Sequence, residues 1–455
     1  MSKQQFTTGK GERFSYGLYA FGAILSYYAI MSYLQIFMTD VGIPAATVGL
    51  IFVFAKVWDA VNDPVFGVMV DKVNLKGGKY KPWLRIAGIG IPLTTVLLFI
   101  IPSGASIQVK IIWSAVAYVL WDTAYTMYDV PMNAIVTTMT ESLNERNKLY
   151  SISSFCVYLG GILVAIMVPM LYPQIGWGIT MLILGIICLI SMSPLPGKAK
   201  ERYAGEVNKE ASIQEIIMSL VHNKYLLIFT LASIVSALTD FGNTLSGYVA
   251  IHCLGSQSYI TLLTLAGAVP ILAVALLVPK MIARVEKFKL NIIMRILSLC
   301  TTVVLWLVGY QNVMVVLLLY ALKSVFGGIA GMMAMMFISD CVEYGQYKNG
   351  ERNQGIAFAT KAFTNKIVVA LTGALGMFSL AAIGFVEGEG AMQSASTISS
   401  LWTLFGIAPL VGGIISLVIM LVCYKLRDED VKVMIRCNNG EISKEEAVKE
   451  FSNKF

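Results

Sequence analysis

The chain has 455 residues, 57% of them hydrophobic and 13% charged, with a formal net charge of +7. A soluble chain carries roughly 25% charged residues, and the mean hydropathy here is +0.72, which excludes an ordinary soluble domain. Apolar runs of about 20 residues recur throughout, each long enough to cross a hydrocarbon layer roughly 30 Å thick. They do not alternate at period 2 as barrel strands would, so they predict an all-α polytopic membrane protein.

In chain order the expected spans are 14–38, 46–70, 83–102, 111–136, 149–172, 176–192, 225–251, 260–282, 290–309, 313–339, 355–385 and 401–424. The first is followed by many others and has no small-residue cleavage site, so it reads as a mature helix rather than a signal peptide. Lys and Arg collect on alternate connections: Lys72 to Arg85, Arg146 and Lys148, Lys198 to Lys209, Lys280 to Lys289, and Lys348 with Arg352. The intervening connections have almost none, Lys110 being the exception. By the positive-inside rule the basic loops and both termini are expected in the cytoplasm. The net charge then reflects topology, with basic residues scattered rather than gathered as a nucleic-acid face.

The second span reads "KVWDAVNDPVFG" at 56–67. A charge at mid-bilayer costs at least about 2.5–3.5 kcal/mol on insertion scales and marks an ion or substrate path. Asp59, Asn62 and Asp63 fall at i, i+3 and i+4, which puts three oxygen-bearing side chains on one helical face. Two such carboxylates need a cation between them or a shared proton, and hard oxygen donors suit Na⁺, Li⁺ or H⁺. The fourth span, "LWDTAYTMYDVP", brings Thr126 and Asp129 to a similar depth, and the eleventh carries Lys366 near mid-membrane. These groups are expected to meet in one central cavity.

The longest internal connection, 194–224, divides the chain near its middle. Its "SIQE" has the form of a capping box at Ser212 and Glu215, predicting a short surface helix. Six spans, a long loop and six more spans is a plan for a transporter of two parallel halves. The expected parts are an N-terminal bundle (1–195), a cytoplasmic connection (196–224), a C-terminal bundle (225–425) and a cytoplasmic tail (426–455). The tail is expected to carry a short helix starting at Ser443. The seven cysteines stand singly, with no metal spacing. No GxxxxGK[ST] loop is present, so no ATP hydrolysis is expected. His222 and His252 lie near span ends, and no Ser/His/Asp set converges, so an enzyme is not expected.

Several motifs now coincide: "SYGLYAFG" in the first span, "VWDAVNDPVFG" in the second, "GGKYKPW" after it, "YTMYDVP" in the fourth and "DCVEYGQYKNGER" before the eleventh. With them the chain resembles, over essentially its full length, the glycoside–pentoside–hexuronide:cation symporters, the melibiose-permease branch of the major facilitator superfamily. The resemblance implies twelve helices in two pseudosymmetric bundles and sugar uptake driven by Na⁺, Li⁺ or H⁺. It implies that Asp59, Asn62, Asp63 and Thr126 form a monovalent-cation site, and that Asp129 and Lys366 face sugar or cation. The loop "DKVNLKGGKYKPW" resembles the superfamily's loop between its second and third helices. Asp71, Lys79 and Lys81 are therefore expected to gate the cytoplasmic side.

The sugar side departs from galactoside-transporting members. Those have a Lys-Asp pair where this chain has Ala23 and Ile24, tryptophans at Asn133 and Gly331, an arginine at Ser154 and a glutamine at Lys361. The pocket is expected to be rebuilt around Asp122, Asp129, Asn133, Lys361 and Lys366, with Lys323 as a further buried lysine. Each lysine has a possible acid partner in Asp122 or Asp129, and unpaired charges are costly in a membrane, so an uncharged substrate is expected; a spare lysine would favour a hexuronide. The expectation is a monomeric, cation-coupled sugar importer of the plasma (inner) membrane, with no cofactor beyond its coupling cation. An uncoupled facilitator or exporter is the alternative.

Overall fold

The structure is a computed structural model that describes residues 7–451 apart from 74, 103, 141, 204–212, 276, 351–353 and 389. Among the described residues every regular element is helical. Large apolar side chains such as Ile89, Leu93, Ile112, Leu307, Leu318 and Val418 are left exposed along the helices. Water would penalise such a surface, and hydrocarbon does not.

The chain divides into two compact units, residues 1–208 with 380–393, and 209–379 with 394–455. The first contains α1 (Lys10–Asp40), α2 (Ala45–Lys72), α3 (Lys81–Leu98), α4 (Ile107–Met139), α5 (Leu143–Met192) and the short α6 (Leu195–Lys198). The fifth and sixth expected spans run together as α5, broken at Gly176, whose φ of 80° suits a residue without a Cβ. Six crossings result. α1 packs tightly on α5 because glycines let the backbones approach: a Cβ on Gly160 would meet Ile24, and one on Gly17 would meet Ile152. Polar side chains tie helices together where no water can. Tyr19 donates to Leu84 O at 2.7 Å and Trp121 to Ser26 Oγ at 2.7 Å, while Ser26 also bonds Thr95.

At one end the unit is fastened by the residues that follow its last crossing. Glu201 accepts from the backbone N–H groups of Lys79, Tyr80 and Lys81 at 2.7–2.9 Å. Arg202 forks onto Glu12 at 2.9 and 2.8 Å, and Arg202 N and Tyr203 N donate to Thr138 O. In the first turn of α5, ahead of the apolar run that starts at Leu149, Glu145 accepts from Thr7 N, Thr8 N and Thr8 Oγ1.

The second unit contains α7 (Ile213–His222), α8 (Lys224–Leu238), α9 (Gly242–Tyr248) with a π turn at Val249–Cys253, α10 (Ser258–Ala275), α11 (Val278–Ile282), α12 (Lys287–Val308), α13 (Val313–Met332), α14 (Ala334–Asn349), α15 (Gln354–Ala382) and α16 (Ala395–Cys423), then α17 (Asp428–Asn438) and α18 (Lys444–Glu450) in the tail. Among the described residues these again make six crossings, with α10 and α11 in one of them and two others segmented, α8–α9 with its π turn and α13–α14. α14 outruns the expected tenth span and ends at Gly350, in a left-handed C-cap with φ of 80°. Ser443 caps α18 in a capping box with Glu446, as its sequence predicts. α7 begins directly after Ser212, which lies outside the described residues. The tail docks on its own unit: Lys287 bridges Asp340 at 2.5 Å and Asp428 at 3.4 Å, and Asn438 donates to Glu343.

Candidate functional site

α2 and α4 hold a polar cluster inside the first unit. Asn62 Nδ2 donates to Thr126 Oγ1 at 2.8 Å. Thr126 Oγ1 lies 3.0 Å from Asp63 Oδ1 and 3.1 Å from Asp122 O, either of which can take its proton. A threonine hydroxyl has one proton and two lone pairs. Asn62 uses one pair, so one stays available to a cation. Asp59 sits one turn earlier on α2, 3.3 Å from Lys56 Nζ. Asn62, Asp63 and Thr126 are thus brought into one network, while Asp59 is paired locally on the same face. Trp58 Nε1 also bridges α2 to α4, donating to Thr123 Oγ1 at 3.0 Å.

Further along α4, Asn133 donates from Nδ2 to Asp129 O at 3.0 Å and to Asp129 Oδ1 at 3.4 Å. Asp122 is buried. The rings of Tyr27, Trp121, Tyr125 and Tyr128 pack on one another tilted or edge-on at centroid separations of 5.1–5.4 Å, arrangements that aromatic pairs favour. Lys79 in the loop after α2 and Lys81 at the start of α3 are held through their backbone amides by Glu201. The side chain of Asp71 lies outside the described residues, as does that of Lys366 on α15.

The second unit has a cavity of its own, about 460 Å³, whose lining includes Asp240, Arg295, Lys323, Lys361, Thr364 and Asn365. Lys323 Nζ stands 3.6 Å from Asp240 Oδ1. Arg295 donates from Nε to Asn291 Oδ1 and from Nη1 to Ser416 Oγ, both at 2.9 Å. Asp240 and Arg295 carry no expectation from sequence. The signal was present, since each is a charge within an otherwise apolar run.

A family model described as "MFS/sugar transport protein" matches residues 15–428. The chain belongs to the MFS/sugar transport protein family. Like the rest of that family it is a membrane transporter and not an enzyme, and the resemblance to the glycoside–pentoside–hexuronide:cation symporters is borne out. The isoprimeverose transporter of Lactiplantibacillus pentosus is 26% identical over 439 residues, covering 93% of this chain and 90% of that one. The inner membrane symporter YicJ of Escherichia coli (strain K12) is also 26% identical over 439 residues, covering 93% and 94%. The crystal structure of the nucleoside transporter NupG matches with a TM-score of 0.65 at 13% identity, covering 91% of this chain and 99% of that chain, a likeness of fold. The twelve crossings of this family member are accordingly those of a major facilitator.

Proposed function

We propose that the protein imports a sugar together with Na⁺, Li⁺ or H⁺, by alternating access between its two bundles. The observation that carries this reading is the Asn62–Thr126–Asp63 network with Asp59 one turn away. Two carboxylates one turn apart, with neutral oxygens beside them, repel each other until a cation arrives. The cation neutralises Asp59 and Asp63 and raises sugar affinity. Lys56 offsets part of the charge on Asp59 beforehand. Asp122, Asp129, Asn133, Lys361 and Lys366 serve the sugar, and Asp71, Lys79 and Lys81 the cytoplasmic gate. The bundles are 1–195 and 225–425, joined by 196–224 and followed by the tail 426–455. The protein works as a monomer in the plasma (inner) membrane, both termini in the cytoplasm, without ATP. The names of the isoprimeverose transporter and the inner membrane symporter support a sugar cargo and symport.

The test is uptake into proteoliposomes from a panel of glycosides, with Na⁺, Li⁺ and pH varied. Asp63→Cys is expected to abolish accumulation against a gradient while leaving facilitated exchange, because one carboxylate cannot replace the pair. Accumulation by Asp63→Cys, or uptake indifferent to every cation gradient, favours an uncoupled facilitator instead.

A further inference from the structure

The second unit's cavity carries more positive charge than its own acids balance. Arg295 lies eight residues into α12, Lys323 ten into α13 and Lys361 seven into α15, so all three stand roughly 10–15 Å along their helices. Against them, among the described residues, the lining sets one carboxylate, Asp240, which pairs with Lys323. Three cations less one anion leaves an excess of two. Arg295 has its hydrogen bonds met by an amide oxygen and a hydroxyl, which satisfy its N–H groups without cancelling its charge. Among the described residues Lys361 has no ion-pair or hydrogen-bond partner. Asn365, one turn along α15, and Thr364 add neutral donors to the same wall.

Unbalanced charge at membrane depth is costly and persists where a ligand completes it. A neutral sugar offers hydroxyls, which a wall of Ser, Thr and Asn would satisfy without cations. An acidic sugar offers a carboxylate, the group that guanidinium and ammonium recognise most strongly. The volume of about 460 Å³ falls within the roughly 300–1,000 Å³ usual for small-molecule sites.

Building on the sugar-transport reading, we propose that the cavity lined by Arg295, Lys323 and Lys361 is a subsite for the acid group of an anionic sugar, a hexuronate or its glycoside. Asp240 holds Lys323 in place and Lys361 meets the carboxylate. The bound anion removes half of the excess charge.

The experiment uses the full chain in proteoliposomes and matched pairs of uronate and parent hexose, free and as methyl glycosides, in the gluco, galacto and manno series. At least one uronate is expected to bind and be taken up about tenfold or more better than its neutral partner, the ratio a charge-assisted hydrogen bond supplies. Lys361→Gln is expected to erase that ratio without weakening Na⁺ protection of the protein against heat, and Lys361→Arg to restore it. Arg295→Gln provides an independent second variant. Cation-driven uptake of neutral hexoses at least equal to that of the uronates overturns the subsite and leaves the symport reading standing. Movement of no sugar under any cation gradient overturns both. Chloride or phosphate binding with the same Lys361 dependence, uncontested by any uronate, assigns the cavity to an inorganic ion and overturns the sugar assignment.

Discussion

Thr126 is a residue at which several neighbours contend for one hydroxyl. Its proton is shared between Asp63 and the Asp122 carbonyl, and Asn62 occupies one lone pair. Thr126→Ala removes one neutral oxygen and no charge. Uptake at saturating Na⁺, Li⁺ and H⁺ is therefore expected to fall unequally, because the three ions differ in how many oxygens they need. Equal loss with all three would make Thr126 a packing residue. The network was legible in sequence because its charges interrupt apolar runs, and helical spacing tells which of them share a face. Lys56 stands three residues from Asp59, so the same spacing reaches it. Asp240, Arg295 and Lys323 were harder to relate to one another. Each stands alone in its own run, and only the packing of α8, α12 and α13 brings them to one cavity.

Helices in lipid approach closely only where side chains are small. Gly412 of α16 faces α8, and a Cβ there would meet Thr239 Oγ1 and the Val235 carbonyl oxygen. A backbone carbonyl cannot turn aside as a flexible side chain can, so Gly412→Ala is expected to cost about 1–3 kcal/mol. A lowered thermal midpoint in detergent would register it, and an unchanged midpoint would mean that the two helices have slack. Glu145, in the first turn of α5 and ahead of its apolar run, anchors the segment that leads into α1. Burial raises its pKa, but the hydrogen bonds from Thr7 and Thr8 outweigh burial and hold the carboxyl below its usual range. A depressed folded pKa means stability that is present above the unfolded value of about 4.3 and is lost as pH falls through the folded value. Glu145→Gln is thus expected to lower the midpoint at neutral pH and to match the parent once the carboxyl is protonated. A gap that persists in acid would point to shape rather than charge. Span positions were legible from apolar length. The interruption at Met333 was not, because apolar composition continues across it; that at 239–241 falls on Thr239, Asp240 and Phe241 just before Gly242, a polar signal that the reading of one span over 225–251 passes over.

For the whole molecule, coupling is a thermodynamic identity as well as a mechanism. If cation raises sugar affinity by some factor, sugar must raise cation affinity by the same factor, with couplings typically about 5–150-fold. Calorimetric Kd values for each ligand, with and without the other, are expected to give two equal ratios above one; ratios of one would remove the coupling. The fastening of the first unit by Glu201 and Arg202 has a further consequence in time. Both lie just after the sixth crossing, and both reach back to residues already made: Glu12, Lys79, Tyr80 and Lys81. Chains fold vectorially as they are synthesised, the N-terminal part first. Once Arg202 has emerged from the ribosome, these contacts can latch the six crossings of the first half while most of the second half is still to be made. The order of birth along the chain is thereby also an order of assembly, and the early half need not wait for its sibling to be sound.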